Sequence, residues 1–248
     1  MSFQKFNNSV NQKEKKVTTT KSISSITKTD LKTKIEEFHN YGALWMNFRL
    51  RSDQKEVKTR VNAISEVVSR VKEGDVVKAR QFELKGKFPP YKYAIIDLEG
   101  DPPKFFGLVV SNQVYQVFVT KTKHLIELYE TIWKILKKLI DFYLFTFSNH
   151  EARFFKRILP FKLKEVNDKA FFRVLKIVNV QKRDFEGIVP GLYSLSERSY
   201  HDSLLRDSKN IEIHFKNGDY YLIMEHNKSC LLSTLKIVQK RYLKLHLL

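Results

Sequence analysis

Two carboxylates stand two positions apart inside an apolar run: Asp97 and Glu99, in YAIIDLEGDPPKFFGLVV at residues 93–110. In an extended strand, residues i and i+2 point to the same side, so both acids face one way. Burying two acids on one face is costly unless something positive lies between them, and a divalent metal ion is the usual counter-charge. The alternative makes Asp97 a turn-facing acid and Glu99 an exposed strand end, and an isolated D-x-E pair does not choose between the two. Gly100, Asp101, Pro102 and Pro103 read as a turn, after which FFGLVV resumes as a second strand.

Elsewhere the signals for chemistry are thinner. Asp75 with Glu83-Leu84-Lys85 has the acid-then-E-x-K form in which restriction-like nucleases present metal ligands, but the gap is brief and no Pro-Asp precedes it. A solvated strand face is the plainer reading there. The 7 histidines show no Cys or His spacing of a zinc site. His226, expected just before the last helix, is either a general base or a helix-start residue. Cys230 is the single cysteine, which excludes an intramolecular disulfide and any all-cysteine metal site. It opens the stripe Leu231, Leu235, Val238, Tyr242 and Leu245, as a core residue would. With 8 glycines and no glycine-rich phosphate cradle, an ATPase is not expected.

The elements that must position the acid pair can be taken in order. Residues 1–28 are rich in Lys, Asn, Ser and Thr, and such a segment cannot offset its ordering entropy; it reads as a flexible basic arm. A small helical and strand region follows over 29–90. Asp30 can cap a short helix carrying Leu31, Ile35 and Phe38, while 41–51 fits strand or helix. Val57, Val61, Ile64, Val68 and Val71 form a helix stripe across Gln54 to Lys72, ended by Gly74. Asp75 to Lys85 reads as a strand or hairpin, and Pro89-Pro90 marks the main boundary before 91–248. Beyond the paired strands of 93–110, QVYQVFVT at 113–120 alternates as a third strand, giving an antiparallel meander. Leu125, Tyr129, Ile132, Leu136 and Leu139 then predict an amphipathic helix over 122–140, and FYLFTFS at 142–148 a central strand buried on both faces.

Charge narrows the partner. Lys and Arg number 45 against 27 Asp and Glu, a net +18 with a pI near 9.8. The excess is spread along the chain, with 20 basic residues against 10 acidic up to Lys92 and 25 against 17 beyond it. A polyanion is the expected partner, and nucleic acid, DNA or RNA, fits better than an anionic membrane because no basic amphipathic anchor stands out. No run approaches the roughly 18 apolar residues of a membrane span, and MSFQKFNNSV lacks the apolar core of a secretory signal. A soluble protein of the cytoplasm is expected.

Meander, helix, then buried parallel strand is the order found in ribonuclease H-like domains. YAIIDLEGDPPKFFGLVV, LFTFSNHEARFFKRIL, KIVNVQKRDFEGIVPGLYSLSE and EHNKSCLLSTLKIV, in that order and spacing, resemble the ribonuclease H-like (DEDD-type) exonuclease domain at the C-terminal end of RecB-like nucleases, over about residues 91–245. The resemblance implies an α/β fold, a ribonuclease H-like mixed sheet flanked by helices, preceded here by a basic N-terminal extension. It implies a metal-dependent nuclease, a 3′-to-5′ exonuclease in its finer form, using Mg²⁺ or Mn²⁺. Asp97 and Glu99 match the family's first motif and Glu151 its second, so these three are the implied metal ligands and catalytic residues. Two positions depart from the pattern: Asn179 stands where an Asp is expected, and Ser229 where the final helix carries its Asp. Neutral side chains bind Mg²⁺ more weakly than carboxylates, which leaves three outcomes open. Asp184 or Asp219 supplies the missing acid, an incomplete site still cuts, or a decayed nuclease fold only binds nucleic acid.

Overall fold

A computed structural model describes residues 52–72, 76–86, 88–163, 169–180 and 208–243. The arm at 1–28, the short helix expected after Asp30, the segment 41–51, Asp75 and Asp184 lie outside the described residues.

The first element is α1, Gln54–Lys72, on the stripe that its valines and Ile64 predict. Val57, Ile64 and Val68 are buried, each side chain contributing roughly 1.5–3 kcal/mol relative to exposure. Six strands follow: β1 (Val77–Glu83), β2 (Tyr93–Glu99), β3 (Phe105–Val110), β4 (Gln113–Val119), β5 (Tyr143–Thr146) and β6 (Lys176–Asn179). They form one mixed sheet in the order β1-β4-β3-β2-β5-β6. The meander β2-β3-β4 is antiparallel and β1 adds antiparallel to β4, while β5 and β6 run parallel to β2. Residues on either side of Pro89-Pro90 thus contribute to one sheet.

Helices cover both faces. Alternation along β2 divides its side chains: Ala94, Ile96 and Leu98 join a core with α1 and with α2, Leu125–Lys137, while Tyr93 and Ile95 join a second core on the opposite face. Trp133 of α2 packs against the first core as a partly buried residue. After β5 come α3 (Asn149–Arg153), a π-helical turn at Phe154–Ile158, α4 (Leu159–Lys162) and α5 (Lys169–Val174). The second face is covered by α6, Ser208–Asn217, and α7, Tyr220–Val238. Gly218, at φ +82°, ends α6 in the left-handed conformation that favours glycine, and Asp219 then opens α7. The described part of the chain is therefore an α/β protein with a six-stranded mixed sheet between helical layers.

His226 corrects one expectation. It does not precede the last helix but lies within α7, which begins at Tyr220. The Asn217-Gly218-Asp219 break sets that earlier start, because it separates two helices at a place where the apolar stripe alone gives no boundary.

One lateral row of residues fixes how α7 sits. Strand register aligns Arg80 of β1, Gln116 of β4, Gly107 of β3 and Asp97 of β2 across four strands. The helix answers each polar member of that row. Glu225 pairs with Arg80, the Met224 carbonyl accepts from Gln116 Nε2 at 2.7 Å, and Asn227 bonds both Gln116 and Asp97. Gly107 leaves room for this: a Cβ there would lie 2.1 Å from Asn227 Oδ1 and 2.6 Å from Leu231 Cδ1.

Candidate metal centre

Strand order reverses at β2. The chain runs from β2 through β3 and β4 to one side, then returns to build β5 and β6 on the other. In open α/β sheets the crevice beyond the carboxyl ends of strands at such a reversal is the usual place for a ligand. Asp97 and Glu99 are the last residues of β2 on the face covered by α7, and Glu151 arrives from α3, just past the end of the neighbouring β5.

All three acids are buried, at 8%, 9% and 4% relative exposure, so their shared location is not a solvated strand end. Ser148 explains the placement of Glu151. It caps α3 by accepting from His150 N at 3.0 Å and donates its hydroxyl to Glu151 Oε2 at 2.7 Å, a variant of the capping box. Asn227 Nδ2 donates to Asp97 Oδ2 at 2.7 Å, and Gln116 Nε2 donates to Asn227 Oδ1 at 2.9 Å, which fixes the orientation of the amide. Among the described residues no Lys or Arg forms an ion pair with Asp97, Glu99 or Glu151.

The electrostatic consequence is retained protons. Burial, then the charges of Glu99 and Glu151, hold the Asp97 carboxyl well above its ordinary value. Burial pushes Glu99 up to about 8, opposed by hydrogen bonding with Asp97, raised further by Glu151 and lowered by Cys230. Three adjacent buried acids that meet no Lys or Arg among the described residues make a site that gains from a divalent cation.

A pH dependence follows. The folded chain binds more protons than the unfolded chain between the ordinary Glu value of 4.5 and about 8, so stability without metal should fall as pH rises through that window. The penalty is absent below it and complete above it. Manganese competes with protons for the same oxygens, so melting temperatures measured across the window should decline in EDTA and stay nearly level in excess Mn²⁺. Parallel declines in both conditions would contradict the cation site.

The structure sets Glu151 where its charge acts on Asp97 and Glu99, and it adds three residues of α7: Asn227, His226 and Cys230. Asn227, rather than Ser229, is the helix residue against Asp97. At 100° per residue, Ser229 lies about 200° around the helix from Asn227 and is half-buried away from that contact. Asp219 does not supply a further acid: it stands about 12 Å back along the helix axis and its carboxylate meets His214 Nδ1 at 2.9 Å. Asn179, at the end of β6, donates to Asn149 Oδ1. Glu83 of the E-x-K triplet accepts from Asn112 at the exposed end of β1. His226 and Cys230 complete the surroundings, with His226 Nε2 3.5 Å from Glu99 Oε1 and 3.6 Å from Cys230 Sγ.

Asn227→Asp and Ser229→Asp should therefore differ sharply. The first puts a fourth acid beside Asp97, costing a few kcal/mol without metal and strengthening Mn²⁺ binding roughly tenfold or more. The second should leave Mn²⁺ affinity unchanged. Thermal shifts with and without Mn²⁺ separate them, and a metal-dependent gain from Ser229→Asp would mean that α7 is rotated from the orientation described.

No protein-family model, no curated protein and no solved structure matches this chain. Among the described residues, no helix is long and apolar enough to cross a membrane.

Proposed function

We propose that this chain is a divalent-metal-dependent nuclease of the ribonuclease H-like kind, cleaving phosphodiester bonds of DNA or RNA, with 3′-to-5′ removal from chain ends as the finer form. The observation that carries the reading is the convergence of Asp97, Glu99 and Glu151, buried and without Lys or Arg ion pairs among the described residues, at the reversal of strand order. The antiparallel meander followed by two parallel strands, with a final helix packed across β2 and β3, supports the same reading.

The oxygen donors suit Mg²⁺ or Mn²⁺, which take carboxylates in preference to neutral ligands. Bound there, such an ion would activate water and stabilise the leaving oxygen of a phosphodiester. Asp97 and Glu99 would hold it from the strand and Glu151 from the helix, with Ser148 fixing the Glu151 carboxylate and Asn227 fixing that of Asp97. The net charge of +18 supplies sequence-independent attraction for the phosphate backbone.

Incubating the full-length protein with end-labelled DNA and RNA in Mg²⁺ or Mn²⁺ tests the proposal. Degradation should require the metal, stop in EDTA and fall to background in Glu151→Gln. Degradation undiminished by EDTA would contradict it. A second reading, a nucleic-acid-binding module without catalysis, is favoured by one observation: the helix residue bonded to Asp97 is the neutral Asn227. It predicts binding that weakens steeply with salt and is indifferent to divalent metal, with no cleavage under any condition.

A further inference from the structure

We infer that Glu99, His226 and Cys230 form a three-ligand centre for zinc or a zinc-like ion, a site of different chemistry from the carboxylate set and sharing only Glu99 with it. The inference goes beyond the nuclease reading and does not depend on it.

His226 and Cys230 are one helical turn apart, so α7 presents both on nearly the same bearing, about 40° apart. That bearing faces β2, where Glu99 is the last strand residue. One donor atom from each of the three lies within 4.8 Å of the others. Two separations are more telling: 3.5 Å from His226 Nε2 to Glu99 Oε1 and 3.6 Å from Cys230 Sγ to His226 Nε2. Zinc bonds of about 2.3 Å to sulfur and about 2.0–2.2 Å to nitrogen and oxygen, at tetrahedral angles, put donor atoms roughly 3.3–3.6 Å apart. Two of the three donor pairs thus stand at ligand spacing, and the third lies within 4.8 Å.

Charge and softness point the same way. A thiolate, a carboxylate and a neutral imidazole around a divalent ion sum to zero, which is the arrangement that costs least to bury. All three residues are buried, at 9% for Glu99 and 8% for each of the others. The nearby Glu151 acts on Glu99 as a like charge, and no Lys or Arg among the described residues pairs with it. Thiolate and imidazole favour zinc over magnesium, and three protein ligands are the number that catalytic zinc sites use, with water in the fourth place.

Cobalt(II) is the probe for this centre, because it takes tetrahedral sites and reports sulfur ligation by absorption. Adding Co²⁺ to metal-free, full-length protein should produce tetrahedral visible bands and a near-ultraviolet sulfur-to-cobalt charge-transfer band at one equivalent, both removed by Zn²⁺. The chain has 1 cysteine, so a thiolate band in the wild-type protein identifies Cys230 without any variant. His226→Gln should weaken Co²⁺ binding on the order of tenfold or more, whereas Glu151→Gln should leave the thiolate band in place. Absence of the thiolate band in wild type at millimolar Co²⁺ overturns the inference, as does a band unaffected by His226→Gln. Failure of the nuclease reading would look different: no Mg²⁺- or Mn²⁺-dependent cleavage, with the cobalt spectrum intact.

Discussion

Asp97→Asn should move activity and stability in opposite directions. Cleavage in Mg²⁺ or Mn²⁺ should fall to the EDTA background, because the substitution removes the charged ligand at the centre of the acid cluster. The metal-free protein should meanwhile melt several degrees higher at about pH 8, each kcal/mol recovered raising Tm by about 2–4 °C in a chain of this size. The gain has a definite source. Burial and the neighbouring charges of Glu99 and Glu151 make the native Asp97 either a buried charge or a site of proton uptake, and an amide is neither. The amide oxygen still accepts from Asn227 Nδ2, and the new N–H has the Glu99 carboxylate to donate to. Activity that survives with stability unchanged would remove Asp97 from the mechanism.

Gly107→Ala carries the largest expected effect on folding. The added methyl would meet Asn227 Oδ1 at 2.1 Å and Leu231 Cδ1 at 2.6 Å, against an ordinary contact of roughly 3.5–4.0 Å. The obstacle is a helix fixed by Arg80, Gln116 and Asp97 along one row, not the free end of a flexible chain. Lifting α7 should cost about 3 kcal/mol or more, read as a lower denaturant midpoint. Asn227→Ala removes the nearer obstacle, so the double variant should lose less than the sum of the two single losses. Wild-type stability in Gly107→Ala would mean that α7 does not lie against β3 as described.

Much of the fold was legible because its elements are written in simple periods. The valine stripe of α1, the alternation in β4 and the 4-3-4-3 stripe of α2 each follow from side chains that must reach a core. The D-x-E pair was legible for the same reason, since a strand puts alternate residues on one face. What escaped was the identity of the helix residues that meet those acids. Motif spacing points to Ser229, but the angular position of a helix is set by packing, here by Gly107 and the row from Arg80 to Asp97. Nothing local to EHNKSC reveals that row. The same limit hid the Glu99, His226 and Cys230 group. Two of its members carry a readable signal, a His and a Cys four apart on a helix. The third comes from a strand far upstream, so a search for Cys and His spacing alone passes over it. A proline pair marks a break in the chain without dividing the sheet: β1, which precedes Pro89-Pro90, pairs with β4, which follows it.

Calorimetric titration of metal-free, full-length protein with Mn²⁺ shows whether the buried acids take up a divalent cation at all. Saturable binding at about pH 7 with release of protons is expected, since Asp97 and Glu99 hold theirs in the metal-free state. The observed heat should therefore change with the ionisation enthalpy of the buffer, and Glu99→Gln should abolish the binding. Absence of binding heat at about millimolar Mn²⁺ in several buffers, or an unchanged titration in Glu99→Gln, would contradict it.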